Sequence, residues 1–182
     1  KMQKYGADGV VLYDSAGTFT PAMIKEIFSE IKLEVNLELG FHAHNNLSLA
    51  SANSLYAIDH GATFIDGSMA GFGAGAGNLS LPHFVSCLYH MNIECNVDWK
   101  NYVSVMEQFL NEEIISIPFS RELNILSGIY GVFSGFSSHI QRIALQYNVD
   151  PLELFKLCGE NNLIAGQEDL IIELAQKVSD LK

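Results

Sequence analysis

The chain has 182 residues, of which 48% are hydrophobic, enough to bury one sizeable core and too apolar for an intrinsically disordered protein. Its net charge of −11, with lysines and arginines scattered rather than clustered, argues against a nucleic-acid or anionic-membrane binder. No run approaches the roughly 18 apolar residues of a membrane span and no signal peptide is legible. The odd count of cysteines without metal-ligand spacing (Cys87, Cys95, Cys158) fits a reducing, cytoplasmic setting.

In chain order, "KMQKYGADGVVLYD" reads as the tail of a helix running into a strand. It carries neither an initiator methionine nor a helix cap, so further chain is expected upstream. After "GVVLYD", Thr20 can cap a helix whose first turn holds Pro21. "EVNLELGFHAH" is a second strand, and "NNLSLASANSLYAIDHG" a helix closed by Gly61. "ATFIDGSMAG" is a third strand, "FGAGAGN" a glycine-rich loop and "LSLPHFVSCLYHMN" a third helix. This alternation predicts a parallel α/β sheet with helical crossovers over residues 1–97.

From residue 98 to 182 the strand signals vanish. "DWKNYVSVMEQFLNEEI", "GIYGVFSGFSSHIQRIALQYN", "DPLELFKLCGE" and "GQEDLIIELAQKVSD" carry apolar residues at helical spacing, with Asp150 and Pro151 starting one helix. An all-helical module is expected there. The stretch "NEEIISIPFSRELNILSG" carries no motif.

All three strands end in polar residues: Asp14 and Ser15, His42 and His44, Asp66 and Ser68. Ligands of parallel α/β proteins bind at that end of the strands. His42 and His44 are two apart, so both imidazoles leave one face and can address a single cation; hydrogen-bonded structural histidines are the other reading. Asn78 can add a neutral amide oxygen, and mixed N/O ligation suits Mn²⁺, Mg²⁺, Fe²⁺, Co²⁺ or Zn²⁺. The glycines from 71 to 77 permit close approach of backbone to a ligand. A phosphate cradle is the rival reading, but the spacing is not a Walker sequence and no lysine follows. Asp66 reads as an acceptor fixing the loop; Asp14-Ser15 reads equally as a turn pair or as a source of a substrate-contacting hydroxyl at Ser15. Tyr130 by itself reads as a core aromatic.

"HAHN" followed by "DGSMAGFGAGAGN" resembles the metal-dependent aldolase and lyase superfamily built on a (β/α)8 TIM barrel, which includes 3-hydroxy-3-methylglutaryl-CoA lyase and isopropylmalate synthase. Within it, "HAHNNLSLASANS", "GAGAGN", "GIY" and "GQED" resemble the 4-hydroxy-2-oxovalerate aldolase family in order and spacing across nearly the whole chain. The resemblance implies aldol cleavage of a 4-hydroxy-2-oxoacid to pyruvate and an aldehyde. It makes His42 and His44 ligands of a divalent metal, usually Mn²⁺ with Mg²⁺ or Co²⁺ as substitutes, and turns Tyr130 into a general acid.

Three strands cannot close an eight-stranded barrel, so the chain is expected to be the C-terminal part of one, followed by the helical module. The first-strand segment, which in the family brings an aspartate ligand, an arginine and a histidine base, has no counterpart here, and low activity is expected of the isolated chain. The helices resemble the module through which these aldolases dock an acylating acetaldehyde dehydrogenase, so a homo- or hetero-oligomer is expected. Two other functions stay open: an acyl-CoA lyase or synthase of the same superfamily, and a non-catalytic assembly protein.

Overall fold

The computed structural model describes residues 1–113 and 122–180. The middle of the motif-free stretch, 114–121, lies outside the described residues. Three parallel strands, β1 (Gly9–Asp14), β2 (Glu38–Ala43) and β3 (Phe64–Asp66), form one sheet in the order β1-β2-β3. Helices α1 (Pro21–Glu34) and α2 (Ala50–Asp59) make the crossovers. Thr20 caps α1 by accepting from the Met23 N–H, with Pro21 in the first turn, where its missing N–H costs nothing. After β3 come α3 (Leu81–His90) and α4 (Trp99–Glu113), which pack on each other.

One core forms where β2 meets the helices. Leu39, Phe41 and Ala43 alternate onto the helix-facing side of the sheet and pack with Ile24 and Phe28 of α1, Ala57 of α2 and Phe84 of α3. Phe28 meets Phe41 edge to face at 6.3 Å, and burying each such ring stabilises the fold by ~1.5–3 kcal/mol. β2 is the sealed strand because it has a neighbour on each side.

A second core belongs to α5 (Glu122–Tyr130), α6 (Ser137–Tyr147), α7 (Pro151–Glu160) and α8 (Glu168–Asp180), centred on Phe136, Ile140, Phe155 and Ile171. Asp150 caps α7 by accepting from the Leu152 N–H at 3.0 Å, ahead of Pro151. The periodic stretch from Gly128 to Asn148 is not one helix. α5 stops at Tyr130, Gly131 takes φ +66°, and a 3-10 turn at Ser134–Phe136 precedes α6. Glycine reaches the left-handed region without the Cβ penalty, and Val132 and Phe136, on the far side of the break, are both buried in the core. The α/β expectation with trailing helices is therefore met, with this interruption. No helix among the described residues is long and apolar enough to cross a membrane.

Candidate functional site

The parallel register aligns Tyr13, His42 and Asp66 in one row across β1, β2 and β3, so their side chains leave the same face of the sheet. His42 is buried, and its Nδ1 lies 3.0 Å from Asp66 Oδ2. A carboxylate oxygen accepts, so Nδ1 is the donor in this bond and Nε2 is the nitrogen left to face a ligand. Tyr13 stacks on the same imidazole with centroids 4.8 Å apart and planes at 29°. His44 follows, its ring centroid 5.3 Å from that of His42. Its Nδ1 donates to the Ala74 carbonyl in the glycine loop at 3.2 Å, which again leaves Nε2 as the acceptor. Burial lowers the pKa of His44, the Ala74 carbonyl opposes that and proximity of His42 adds to it, so the ring is held neutral.

Asn78 pairs with His44 in an isolated antiparallel bridge, which brings the two side chains to one side. Its Oδ1 is buried and has no hydrogen-bond partner, a costly state unless a cation or donor satisfies it. Gly73 is packed against this amide, where a Cβ would collide with it. Two imidazole nitrogens and one orphaned amide oxygen are a donor set that fits a divalent cation of the Mn²⁺ type. Among the described residues no group of three or more His, Cys, Asp or Glu forms a cation site.

Ser15 lines a cavity of about 410 Å³ with Tyr13, Gly131, Phe133 and Ile164. The residue before it, Asp14, is buried and accepts from the N–H groups of Thr18 and Phe19 at 2.9 and 3.0 Å, which fixes the turn after β1. Burial pushes its carboxyl above the ordinary range, against the pull of those N–H bonds. The structure thus gathers His42, His44 and Asn78 and sets Ser15 beside Tyr13. Tyr130 stands apart: half-buried at the end of α5, it packs against the helical core, and the next residue, Gly131, faces the cavity in its place. Tyr13 escaped the sequence reading, and so did the bond from His42 to Asp66. Both depend on register between strands, for which a single strand's period gives no signal.

Residues 1–108 match the model of the HMGL-like family. The chain belongs to the HMGL-like family. This HMGL-like segment is followed by a match to the DmpG-like communication domain over residues 118–180. A 4-hydroxy-2-oxovalerate aldolase from Spirochaeta aurantia is 41% identical over 178 residues, covering 98% of this chain and 52% of that protein. The chain spans about half the length of the curated relatives it matches. Among solved structures, the carboxyl transferase domain of Rhizobium etli pyruvate carboxylase superposes with a TM-score of 0.74 at 17% identity, over 98% of this chain and 32% of that one. An HMG-CoA lyase from Acenitobacter baumannii gives a TM-score of 0.60 at 22% identity, over 67% of this chain and 42% of that one. These two likenesses are of fold alone, and they agree with the three-stranded parallel sheet and trailing helices described above.

Proposed function

We propose that this chain carries part of the site of a divalent-metal-dependent aldolase that cleaves a 4-hydroxy-2-oxoacid, such as 4-hydroxy-2-oxovalerate, to pyruvate and an aldehyde. The observation that carries the reading is the pair of imidazoles with both Nδ1 atoms engaged, together with the orphaned side-chain oxygen of Asn78, the bridge partner of His44. His42, His44 and Asn78 would hold the cation, Mn²⁺ by preference and Mg²⁺ or Co²⁺ in its place. When bound, it would supply Lewis-acid polarisation of the 2-oxo group.

The chain's own residues do the rest. Asp66 and Ala74 keep each imidazole in the tautomer that binds, which raises ligand basicity and fixes ring direction. Ser15 offers a hydroxyl to the substrate from the cavity wall. Tyr130, which packs against the helical core one residue before the cavity-lining Gly131, is the proposed proton donor to pyruvate C3 on the strength of the family resemblance. The match of residues 118–180 to the DmpG-like communication domain supports an acylating acetaldehyde dehydrogenase as the partner of the helical module.

The test is Mn²⁺-dependent pyruvate release from 4-hydroxy-2-oxovalerate by the full-length polypeptide. His42→Ala and His44→Ala should lose metal occupancy and turnover together, by on the order of 10²-fold or more in kcat/KM; unchanged activity in both removes the metal. Tyr130→Phe should slow proton exchange at pyruvate C3 and leave metal affinity intact. Metal binding without aldol cleavage would redirect the assignment to an acyl-CoA substrate.

A further inference from the structure

We infer that the helical module holds the candidate metal site in shape through Asn46 and Ser134, which makes Ser134 a positioning residue for ligands carried by the sheet. The inference rests on the metal reading above and adds a role for a residue far from His42 and His44 in sequence.

Asn46 is 1% exposed, two residues beyond His44, and its amide is used on both ends. Nδ2 donates to the Ala16 carbonyl at 2.8 Å in the loop after β1 and to Ser134 Oγ at 2.7 Å in the helical module. Oδ1 accepts from the Ala76 N–H at 2.9 Å in the glycine loop. The Ser134 hydroxyl donates to the Ser15 carbonyl at 2.8 Å, and its backbone N–H donates to that carbonyl at 3.1 Å. These bonds meet at one buried point, where three loops of the sheet and the 3-10 turn ahead of α6 come together.

The glycine loop is the element that this point secures. It supplies the Ala74 carbonyl that orients His44, and it ends at Asn78. Between them Gly75 takes φ +67°, and a Cβ there would lie 2.6 Å from Asn46 Oδ1 and 3.0 Å from Ser134 Cβ. The loop is therefore pressed directly onto the Asn46–Ser134 contact. Without the Ser134 hydroxyl, one buried Asn46 N–H loses its acceptor. The amide then turns to find another, Ala76 loses its clamp, and the carbonyl on His44 moves with the loop. Partners that orient a metal-binding histidine typically govern affinity by 10–100-fold.

The experiment measures Mn²⁺ affinity of the full-length polypeptide by direct titration of free Mn²⁺, together with the Mn²⁺ activation constant and kcat at saturating Mn²⁺. Ser134→Ala and Asn46→Ala should each weaken Mn²⁺ binding by roughly tenfold or more, with turnover restored at saturating metal, a pattern that loss of fold alone does not produce. Ser138→Ala, on the exposed side of α6, should match the unaltered protein. Should Ser134→Ala disrupt the helices by circular dichroism, Gly75→Ala applies the same test from the loop side and should also weaken Mn²⁺ binding. His42→Ala separates the two levels of argument. If it leaves Mn²⁺ affinity unchanged, the metal reading fails; if it abolishes binding while folded Ser134→Ala, Asn46→Ala and Gly75→Ala bind as tightly as the unaltered protein, the positioning role is overturned.

Discussion

Phe136, Ile140, Phe155 and Ile171 of the helical half are sealed from solvent, whereas in the sheet Tyr13 is 54% and Phe64 39% exposed. Both halves contain a continuous apolar cluster, but they close differently. The helices surround their core. The sheet is covered on its helix-facing side, while its other face carries the Tyr13, His42 and Asp66 row, and β1 and β3 each pair only with β2 among the described residues. Stability and chemistry are thus assigned to opposite faces of β2. The polar face contributes little packing, so its side chains are positioned by hydrogen bonds and by clamps from the helical half.

The comparison breaks most readily at its apolar centres. Phe155→Ala should cost about 3–5 kcal/mol in a denaturant titration, because the ring is fully enclosed and the helices cannot collapse into the space. Tyr13→Ala, on the open face, should cost under about 1 kcal/mol. Equal costs would mean that the open face contributes to stability as a core does.

A smaller effect sharpens the boundary between the faces at Asp14. Burial raises its folded pKa above the ordinary 3.8. Between those two values the folded state keeps a proton that the unfolded state has released. Stability therefore falls as pH rises through that window, and below 3.8 the difference vanishes. Asp14→Asn cannot ionise, so the stability difference between the two proteins should change with pH in that direction; a flat difference would show that the turn's N–H groups fully offset the burial.

The smallest effect is a rate. Cys158 is buried in the helical core, its thiol pushed up to about 11, while Cys87 and Cys95 are exposed. Two thiols should react quickly with an aromatic disulfide reagent in the native protein, and the third only on unfolding. Fast reaction of all three would show that the helical core opens readily.

Much of this was legible beforehand, for reasons that can be traced residue by residue. Thr20 with Pro21 and Asp150 with Pro151 are helix starts whose chemistry is complete within four residues. The shared face of His42 and His44 needs only the period of a strand. Gly131 was visible as a letter, but its break in the periodic stretch was not, since glycine permits the left-handed turn without requiring it. Tyr130 matched a motif, yet its surroundings are set by where α5 docks.

By itself, then, the sequence determined the element types, their order, the caps and the imidazole pair, because backbone sterics and side-chain period act within a turn or a strand. Only the tertiary structure decided that Asp66 bonds to His42, that Tyr13 stacks on it and that Ser134 clamps the site. The partners in that clamp are 88 residues apart for Asn46 and 119 for Ser15. Contacts over such separations are fixed by how whole elements pack, which no local rule encodes.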